Sequence, residues 1–300
     1  MAPRVLHMVP WSFGNHEVLE WLGHHGASEV FRGRDLVTHA EVAIKILRDA
    51  PARDPEERER FLREVQLLAR IHHPGVVAVF AVGELDDGAY YSVGELVGGE
   101  SLRDHLRAGL LPIARALRLA RQFAVGLGCV HEAGAILCNV TPGIAMLVAS
   151  GSDPDGHRLK IVDVSLAEFH GGGIGRSEPP REMLGTAAYV SPEQIRGEPE
   201  LDARSDTYGF GVVLYEMLAG RRPFVGWTVS DLIGAHLDQP PPSLRDLVDA
   251  SPEIDALVLG CLAKAAADRP DMTHVIAALD RAIESVGAVG DDWSPPALPR

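Results

Sequence analysis

Residues 42–45 read Val-Ala-Ile-Lys, three apolar residues and a lysine, within a run that predicts a strand from Val42 to Leu47. Nineteen residues after Lys45, Glu64 lies in the segment 55–71, whose apolar residues recur at steps of three and four. That recurrence predicts a helix. A strand lysine followed by a helix carboxylate indicates either a functional ion pair or a solvated surface pair, and a surface pair contributes only about 0–1 kcal/mol.

The chain around this strand consists of short apolar runs separated by glycines and turn residues. That pattern predicts a small β-rich region with one main helix. The five predicted strands span residues 18–22, 29–32, 42–47, 76–82 and 89–93. We place this region at residues 17–97, after an irregular leader at 1–16.

After Gly98-Gly99 the chain becomes helical, and we place the second region at residues 98–285. Ser101 is suited to cap a short first helix. The later predicted helices and one hairpin cover residues 112–134, 145–148 with 159–162, 202–219, 228–237, 253–264 and 272–285. The Gly- and Pro-rich stretch 168–184 is expected to be mobile, and the tail 286–300 is expected to be disordered.

Several motifs, in this order, resemble the bacterial-type (Hanks-type) Ser/Thr protein kinase family. They are V-A-I-K at 42–45, G-T-A-A-Y-V-S-P-E at 185–193, S-D-T-Y-G-F-G at 205–211 and D-R-P at 268–270. The resemblance implies an α+β, bilobal protein-kinase-like fold, with a small β-rich N-lobe that has one main helix and a larger helical C-lobe. It also implies that Lys45 contacts ATP phosphates and pairs with Glu64.

The loop that covers the phosphates in this family has the pattern G-x-G-x-x-G-x-V. Gly23 and Val30 match its first and last positions, whereas His25 and Ser28 replace the second and third glycines. Glycine lets backbone N–H groups approach a phosphate without an intervening side chain. We therefore expect a weakened nucleotide cradle, and a plain hairpin turn is the alternative.

The segment after the last predicted strand resembles the connector that offers backbone groups to adenine, here Glu95 to Val97. Gly94 stands where the family has a bulky residue. One hypothesis is that Gly94 opens an extra apolar pocket behind the nucleotide site. The alternative is that neighbouring residues fill the gap.

Residues 137–144, Leu-Cys-Asn-Val-Thr-Pro-Gly-Ile, occupy the place of the catalytic loop, whose pattern in kinases is H-R-D-x-K-x-x-N. Asn139 stands at the position of the base Asp, and an amide has no basic lone pair near neutral pH. Thr141 replaces the lysine that contacts the γ-phosphate, and Ile144 replaces the asparagine that binds magnesium. Shifting the alignment by one residue does not restore the pattern.

Two neighbouring positions bear on regulation and metal binding. Cys138 replaces the loop arginine that in many kinases pairs with a phosphorylated activation loop; we expect an inert buried thiol, with a redox sensor as the alternative. Asp163, in Asp-Val-Ser at 163–165, remains as a nucleotide contact and a weak magnesium ligand, or as a structural acceptor. Because the side chain of residue 144 offers no oxygen, nucleotide binding is expected to depend little on Mg²⁺.

The residues that stabilise the large lobe in this family are present in this sequence. The resemblance implies that Glu193 forms a buried ion pair with Arg269. It also implies that Asp206 binds the backbone of the 137–139 loop. Because the loss of one partner from a buried pair costs about 3–5 kcal/mol, these residues are expected to hold the fold even where the chemistry is missing.

Composition excludes several functions. The formal net charge of −14 argues against nonspecific nucleic-acid binding, and no apolar run of about 18 residues predicts a membrane span. The three cysteines form neither a metal motif nor a disulfide framework, which suits a reducing cytosol. We therefore expect a cytoplasmic protein.

The missing catalytic groups predict a pseudokinase, a regulatory or scaffolding protein that binds a protein partner, with or without ATP. The alternative is a weak or unconventional Ser/Thr protein kinase or another nucleotide-dependent transferase. A third hypothesis, a domain of a larger receptor-type kinase, has no predicted span to support it. The groups that would serve the transferase are Lys45, Glu64 and Asp163, with His24, His25 and His170 as candidate substitute bases.

Overall fold

The computed structural model describes residues 10–25, 28–47, 55–151, 153–162, 187–226 and 228–287. The chain divides into two compact units, residues 1–98 and 99–300. The division falls between the two adjacent glycines at which the sequence pattern changes from β-rich to helical. Among the described helices, none is long and apolar enough to cross a membrane.

The first unit contains an antiparallel sheet of six strands and a helix within its described residues. The strands are β1 (Trp11–Phe13), β2 (His16–His25), β3 (Ser28–Asp35), β4 (Glu41–Leu47), β5 (Val79–Glu84) and β6 (Tyr90–Glu95), in the spatial order β1-β2-β3-β4-β6-β5. The helix, α1, spans Pro55–Leu68. Its buried Phe61 and Val65 pack with Leu47 of β4, which fixes the helix against the sheet.

Strand alternation explains how this sheet makes its core. Successive side chains of a strand point to opposite faces, and in β4 the buried positions alternate with half-buried ones. Ile44 of β4 joins Val18, Phe31 and Val93 in one buried cluster on the sheet. Lys45 is the residue after Ile44, so it points to the opposite face.

The strand β1 corrects the expectation of an irregular leader over residues 1–16. Trp11 pairs with Val18, and Phe13 pairs with His16, so β1 extends the sheet at its edge. Trp11 and Phe13 also pack against the buried cluster, and the Phe13 ring meets the Tyr91 ring at a centroid distance of 4.5 Å. Three residues are too few to show a two-residue period, so the pattern did not reveal this strand.

The second unit is mainly helical. Within its described residues the helices are α2 (Leu102–Ala108), α3 (Ile113–Glu132), α4 (Pro192–Arg196), α5 (Ala203–Ala219), α6 (Val229–Asp238), α7 (Pro252–Cys261) and α8 (Met272–Gly287). Single 3-10 turns span Pro142–Ile144, Leu244–Asp246 and Ala266–Asp268. The helix α5 is buried along most of its length, and its Phe210 ring lies 6.0 Å from the Phe123 ring of α3.

A small sheet in this unit carries the segment that follows the predicted catalytic loop. Its strands are β7 (Glu100–Ser101), β8 (Ala145–Ala149) and β9 (His157–Ile161), in the order β7-β8-β9. Side chains of helix α3 hold the hairpin in place. Arg118 donates to both carboxylate oxygens of Asp155 at 2.6 Å, and the Gln122 amide oxygen accepts a hydrogen bond from the Leu159 N–H.

Sequence patterns located these elements closely, although their ends differ by a few residues. The helix expected at 55–71 spans Pro55–Leu68, and the strand expected at 76–82 begins at Val79. Most of the predicted disordered tail, residues 288–300, lies outside the described residues, as does the predicted mobile stretch 168–184. Helix α8 continues to Gly287.

Candidate functional site

In the first unit, Lys45 and Glu64 form the predicted ion pair. The Lys45 ammonium Nζ donates to Glu64 Oε1 over 2.7 Å, and the Glu64 side chain is only 9% exposed. Strand β4 fixes the lysine and helix α1 fixes the carboxylate. Burial sets this pair apart from the solvated surface alternative, because truncation of Lys45 would leave a buried carboxylate without its cation.

Three of the predicted nucleotide contacts lie side by side on adjacent strands. Gly23 of β2 pairs with Val30 of β3, and Val30 pairs with Lys45 of β4. Gly23 has φ +150°, a backbone conformation that side-chain-bearing residues rarely adopt. The β2–β3 hairpin therefore brings the expected phosphate loop next to the expected phosphate-binding lysine.

The tip of this hairpin carries His24 and His25, and His25 stands at the position of the second glycine of the family pattern. The His24 Nδ1 atom lies 3.5 Å from Glu29 Oε1, and the Trp21 ring lies 5.2 Å from the His24 ring. His25 pairs with Ser28 through the backbone, but its side chain lies outside the described part of the chain, as do residues 26–27. His24 is thus tied to a carboxylate on its own hairpin.

The connector segment ends the sheet of the first unit. The Glu95 N–H donates to the Ala78 carbonyl over 2.9 Å, and Val97 is half-buried just before the division of the units. The pocket hypothesis for Gly94 is wrong on steric grounds. A Cβ at this position would lie 2.7 Å from the Ala78 carbonyl oxygen, so backbone already fills the space that a side chain would use.

In the second unit, the buried carboxylate of Asp206 binds the start of the loop 137–144, which occupies the place of the kinase catalytic loop. Asp206 Oδ2 accepts from the Leu137 N–H over 2.8 Å, and Oδ1 accepts from the Cys138 N–H over 2.7 Å. The His131 Nε2 atom lies 2.8 Å from Asp206 Oδ2. Helix α5 provides the carboxylate and helix α3 provides the imidazole, so two helices fix the start of the loop.

Asn139 follows directly in this fixed segment. Its side-chain oxygen Oδ1 is buried and has no hydrogen-bond partner among the residues that the structure describes. Buried polar atoms are normally paired, so an acceptor without a partner is unusual. The amide offers hydrogen bonds but no basic lone pair, and it therefore cannot remove a hydroxyl proton.

Thr141 and Ile144, which replace the lysine and the asparagine of the family pattern, are both buried. The Thr141 hydroxyl accepts a hydrogen bond of 3.3 Å from Arg103 and one of 3.2 Å from the Gly143 N–H. Ile144 ends the 3-10 turn, and its carbonyl accepts from the Val162 N–H over 2.9 Å. The Ile144 side chain offers no oxygen, so position 144 has no side-chain ligand for a metal ion.

Cys138 is held from both sides. It has φ +56°, which is uncommon for a residue with a side chain, and its carbonyl accepts from the Gln194 amide over 2.7 Å. Burial, together with the charges of Asp206 and Glu193, raises the pKa of the Cys138 thiol to about 12. Because the thiolate is the reactive form, this supports the inert thiol and not the redox sensor.

The predicted pair Glu193–Arg269 is present and buried. The guanidinium donates from Nη1 to Oε1 at 2.6 Å and from Nη2 to Oε2 at 2.8 Å. Ser205 also donates to Glu193, and Arg269 donates to the Arg204 and Ala263 carbonyls. Burial alone would raise the pKa of Glu193, but the bonds from Arg269 and Ser205 outweigh it and hold that pKa below its ordinary value.

Three supporting contacts of the second unit escaped the analysis of the sequence. His131, Gln194 and Ser205 bind Asp206, the Cys138 carbonyl and Glu193, respectively. A signal existed only for Gln194, because Ser191 and Gln194 form the Ser-x-x-Gln capping box at the start of α4. The contacts of His131 and Ser205 belong to no local motif, and the periodicity of apolar residues does not report them.

Some predicted site residues lie outside the described ranges. They are Asp163, the proposed metal ligand and nucleotide contact, and His170, a proposed substitute base. Among the described residues, no group of three His, Cys, Asp or Glu side chains is placed to hold a metal ion. The structure thus places the loop and the lysine pair, each within its own unit.

Comparison with known proteins agrees with these features. Residues 16–278 match the protein kinase domain family. The chain is 38% identical over 272 residues to the serine/threonine-protein kinase PknB of Mycolicibacterium smegmatis, covering 89% of this chain and 42% of that protein. It is also 38% identical over 256 residues to PknB of Mycobacterium tuberculosis, covering 83% of this chain and 40% of the relative.

These shares mean that the chain spans about two fifths of the length of the curated relatives it matches. The kinase domain of Mycobacterium tuberculosis PknI, a crystal structure, matches with a TM-score of 0.68 and 25% identity, over 91% of this chain and 98% of that domain. The predicted α+β kinase-like fold is thereby confirmed. The chain is a member of the bacterial Hanks-type Ser/Thr protein kinase family.

Proposed function

We propose that this protein is a pseudokinase, a regulatory or scaffolding protein that binds ATP through the Lys45–Glu64 unit and acts on a protein partner. The observation that carries this proposal is the loop at 137–139. It is held as a catalytic loop would be held, by Asp206, yet it presents Asn139 where a base is required. A cytoplasmic location and the protein partner belong to the same proposal.

The size of the chemical loss can be bounded. Loss of a general base costs about 10²–10⁴-fold in rate. Because phosphoryl transfer relies mainly on positioning and on charge stabilisation, that loss alone would leave some activity. Thr141 and Ile144 remove a phosphate-binding cation and a metal ligand as well. Without the general base, the phosphate-binding cation and the metal ligand, the loop has few groups that could stabilise a phosphoryl group during transfer.

The family to which the chain belongs uses ATP with Mg²⁺, and the residues of this chain suit the two ligands to different degrees. The ammonium of Lys45, beside Val30 and near Gly23, fits a phosphate group. The magnesium site fits less well, because position 144 offers no side-chain oxygen and Asp163 lies outside the described residues. We propose that ATP binds and that the metal contributes less to binding than it does in active kinases.

The second candidate function is a Ser/Thr kinase with altered chemistry. Similarity to relatives that are named serine/threonine-protein kinases supports this candidate better than it supports a pseudokinase. The intact Lys45–Glu64 pair also favours it. On this alternative, the chain would transfer phosphate with a different group in place of the missing base.

One pair of measurements separates the two functions. Thermal unfolding is followed with ATP alone and with ATP plus Mg²⁺ or Mn²⁺, for the wild type, Lys45→Ala and the control Arg34→Ala on the neighbouring strand β3. Phosphate transfer from labelled ATP to a general protein substrate is then measured. The proposal expects stabilisation by ATP that Lys45→Ala removes and Arg34→Ala retains, without transfer. Metal-dependent, Lys45-dependent transfer would establish the alternative instead.

A further inference from the structure

A cavity of about 420 Å³ opens to solvent between three helices of the second unit. Its lining residues come from the second half of α3 and from the starts of α5 and α8. The described lining residues include none from the loop 137–144. Sites for small organic molecules commonly have volumes of about 300–1,000 Å³ and often lie between the helices of a bundle. The cavity therefore has the size and the setting of a ligand site.

Apolar residues of two helices form the wall of this cavity. Val125 and Gly128 of α3 line it, together with Met272 and Ile276 of α8. A Cβ at position 128 would lie 3.7 Å from Met272 Cβ and 3.9 Å from Ile276 Cδ1, which are ordinary contacts, so alanine would fit there. Glycine makes a helix less stable than alanine does, and at this position it leaves more space between α3 and α8. Such a wall suits a ligand with an apolar body.

The charged residues that line the cavity carry a net negative charge. They are Glu132, Asp202, Arg204 and Asp271, all exposed at its mouth. Arg204 donates from Nη1 to Asp202 Oδ2 over 3.1 Å, so these two charges largely cancel. The carboxylates of Glu132 and Asp271 then set the sign of the potential at the mouth. A mouth lined by one sign of charge concentrates ligands of the opposite sign, which here are cations.

Glu132 differs from the other two carboxylates in its relation to its own helix. Asp202 and Asp271 cap the starts of α5 and α8, where their Oδ1 atoms accept from the N–H groups of Arg204 and His274 over 2.8 Å each. Glu132 is the last residue of α3, and the carbonyl end of a helix disfavours a negative charge. Helix capping therefore explains Asp202 and Asp271 but not Glu132. Its charge adds to the negative end of α3 at the cavity mouth.

We propose that this cavity binds a small amphipathic organic cation. The apolar body of the ligand lies between α3 and α8, and its ammonium or guanidinium group lies beside Glu132 and Asp271. The cavity wall also includes His131, whose Nε2 lies 2.8 Å from Asp206 Oδ2. A bound ligand therefore contacts a residue that supports the start of the loop 137–144. The inference goes beyond the proposed function, because it requires no nucleotide and uses residues of the second unit alone.

The first test compares phenylbutylamine, phenylbutanol and phenylbutyrate, which share an apolar body and differ in charge. Their binding is measured at pH 7 and constant ionic strength by NMR titration of the protein. We expect the amine to bind about fivefold more tightly than the alcohol, a typical effect of a partly exposed ion pair, and the carboxylate to bind most weakly. Glu132→Gln should reduce the preference for the amine to about twofold or less. The control Glu284→Gln, at an exposed position of α8, should leave it unchanged.

The second test locates the bound ligand through Cys129, which lines the cavity and is half-buried, whereas Cys138 and Cys261 are buried. Burial and the charge of Glu132 raise the pKa of the Cys129 thiol. Labelling by a cationic and an anionic methanethiosulfonate is followed by peptide mass, with each rate divided by that for free mercaptoethanol. The cationic reagent should label Cys129 about fivefold faster on this scale. Saturating phenylbutylamine should slow its labelling at least threefold.

Several results would overturn the proposal. It fails if the alcohol binds the wild type as tightly as the amine does, or if Glu132→Gln keeps the full preference. It also fails if the amine binds without slowing the labelling of Cys129. The variant Ile276→Trp should fill the cavity and abolish binding, and Val125→Phe replaces it if it does not fold. Retained binding by a filled variant whose unliganded melting temperature matches the wild type would place the amine elsewhere. Each of these failures leaves Lys45-dependent binding of ATP, and hence the proposed function, untouched.

Discussion

The Cys138 N–H donates a hydrogen bond of 2.7 Å to Oδ1 of Asp206, a carboxylate fully buried in helix α5. The partner oxygen of the same carboxylate accepts from the preceding N–H, that of Leu137. The backbone of the loop is therefore held in place, although its side chains lack the groups that phosphate transfer requires. This separation of support from chemistry suggests that the loop's shape has a use of its own.

The first prediction concerns this support. Asp206→Ala would leave two buried N–H groups without acceptors, at about 1–3 kcal/mol each, and would remove the contact with His131. We expect a loss of about 3 kcal/mol in the free energy of unfolding, measured by urea denaturation. The control Asp249→Ala, at an exposed position, should change it by less than about 0.5 kcal/mol. Equal effects of the two substitutions would contradict the role given to Asp206.

The second prediction concerns the Glu193–Arg269 pair. Glu193→Ala leaves the Arg269 side chain, which has 0% exposure, without its counter-charge. The expected loss of stability is about 3–5 kcal/mol. The exposed pair Arg196–Glu198 is the matched control, and Glu198→Ala should cost about 0–1 kcal/mol. Adding Arg269→Ala to Glu193→Ala should cost much less than either change alone, and simple additivity would argue against a coupled pair.

The third prediction is a pH dependence. His236 is fully buried, its Nδ1 lies 2.8 Å from the Tyr208 hydroxyl, and burial together with the nearby Lys264 ammonium lowers its pKa to about 4. The unfolded chain, with an ordinary histidine pKa near 6.5, therefore binds this proton more readily than the folded chain. The stabilising effect of the neutral imidazole is complete above about pH 6.5 and is lost as the pH falls towards 4.

Protonation of His236 should lower the free energy of unfolding by roughly 3 kcal/mol, since one pKa unit corresponds to about 1.4 kcal/mol. Unfolding free energies of the wild type and His236→Gln should therefore converge between pH 7 and pH 4.5. A constant difference between wild type and His236→Gln across this range would contradict the prediction.

The fourth prediction concerns Gly94. The Ala78 carbonyl occupies the space that a side chain at position 94 would need. Gly94→Ala therefore forces a backbone shift in the sheet of the first unit. We expect a loss of about 1–3 kcal/mol. Gly98→Ala, where nothing lies within 4 Å of an added Cβ, is the control and should be close to neutral. Hydrogen exchange of the strands β5 and β6 would show whether the loss is local, and a neutral Gly94→Ala would mean that the site can relax.

The fifth prediction concerns the chemistry of the loop. Asn139→Asp alone should not give measurable phosphate transfer from labelled ATP, because Thr141 and Ile144 still supply neither cation nor metal ligand. The triple substitution Asn139→Asp, Thr141→Lys and Ile144→Asn should transfer more than any single change. Unfolding is measured in parallel, since a polar side chain at the buried position 144 costs stability. Full transfer by Asn139→Asp alone would show that only the base was missing.

Much of the fold followed from local patterns. The apolar spacing of residues 55–71 located helix α1, and the glycine-separated runs located most strands of the first unit. The Lys45–Glu64 contact was predictable because family motifs state which distant residues meet. Without that resemblance, periodicity would have placed each residue on its element and left the contact unknown.

Other features depend on contacts that no local pattern encodes. Arg103 and Thr141 are 38 residues apart, and neither belongs to a motif that names the other. The filled space at Gly94 depends on the path of the chain at Ala78, so the sequence suggested a cavity where backbone lies. The side-chain period reports which face of an element is buried, but it does not report what covers that face.

The strand β1 has a practical consequence for preparing this domain. The family match begins at residue 16, after Trp11–Phe13, so a protein trimmed to that boundary would lose β1. Strand β2 would then become a bare edge of the sheet, with unpaired N–H and C=O groups and newly uncovered apolar surface. Such edges recruit strands from other molecules. Samples that begin at residue 16 should therefore self-associate more readily than samples that retain the first strand.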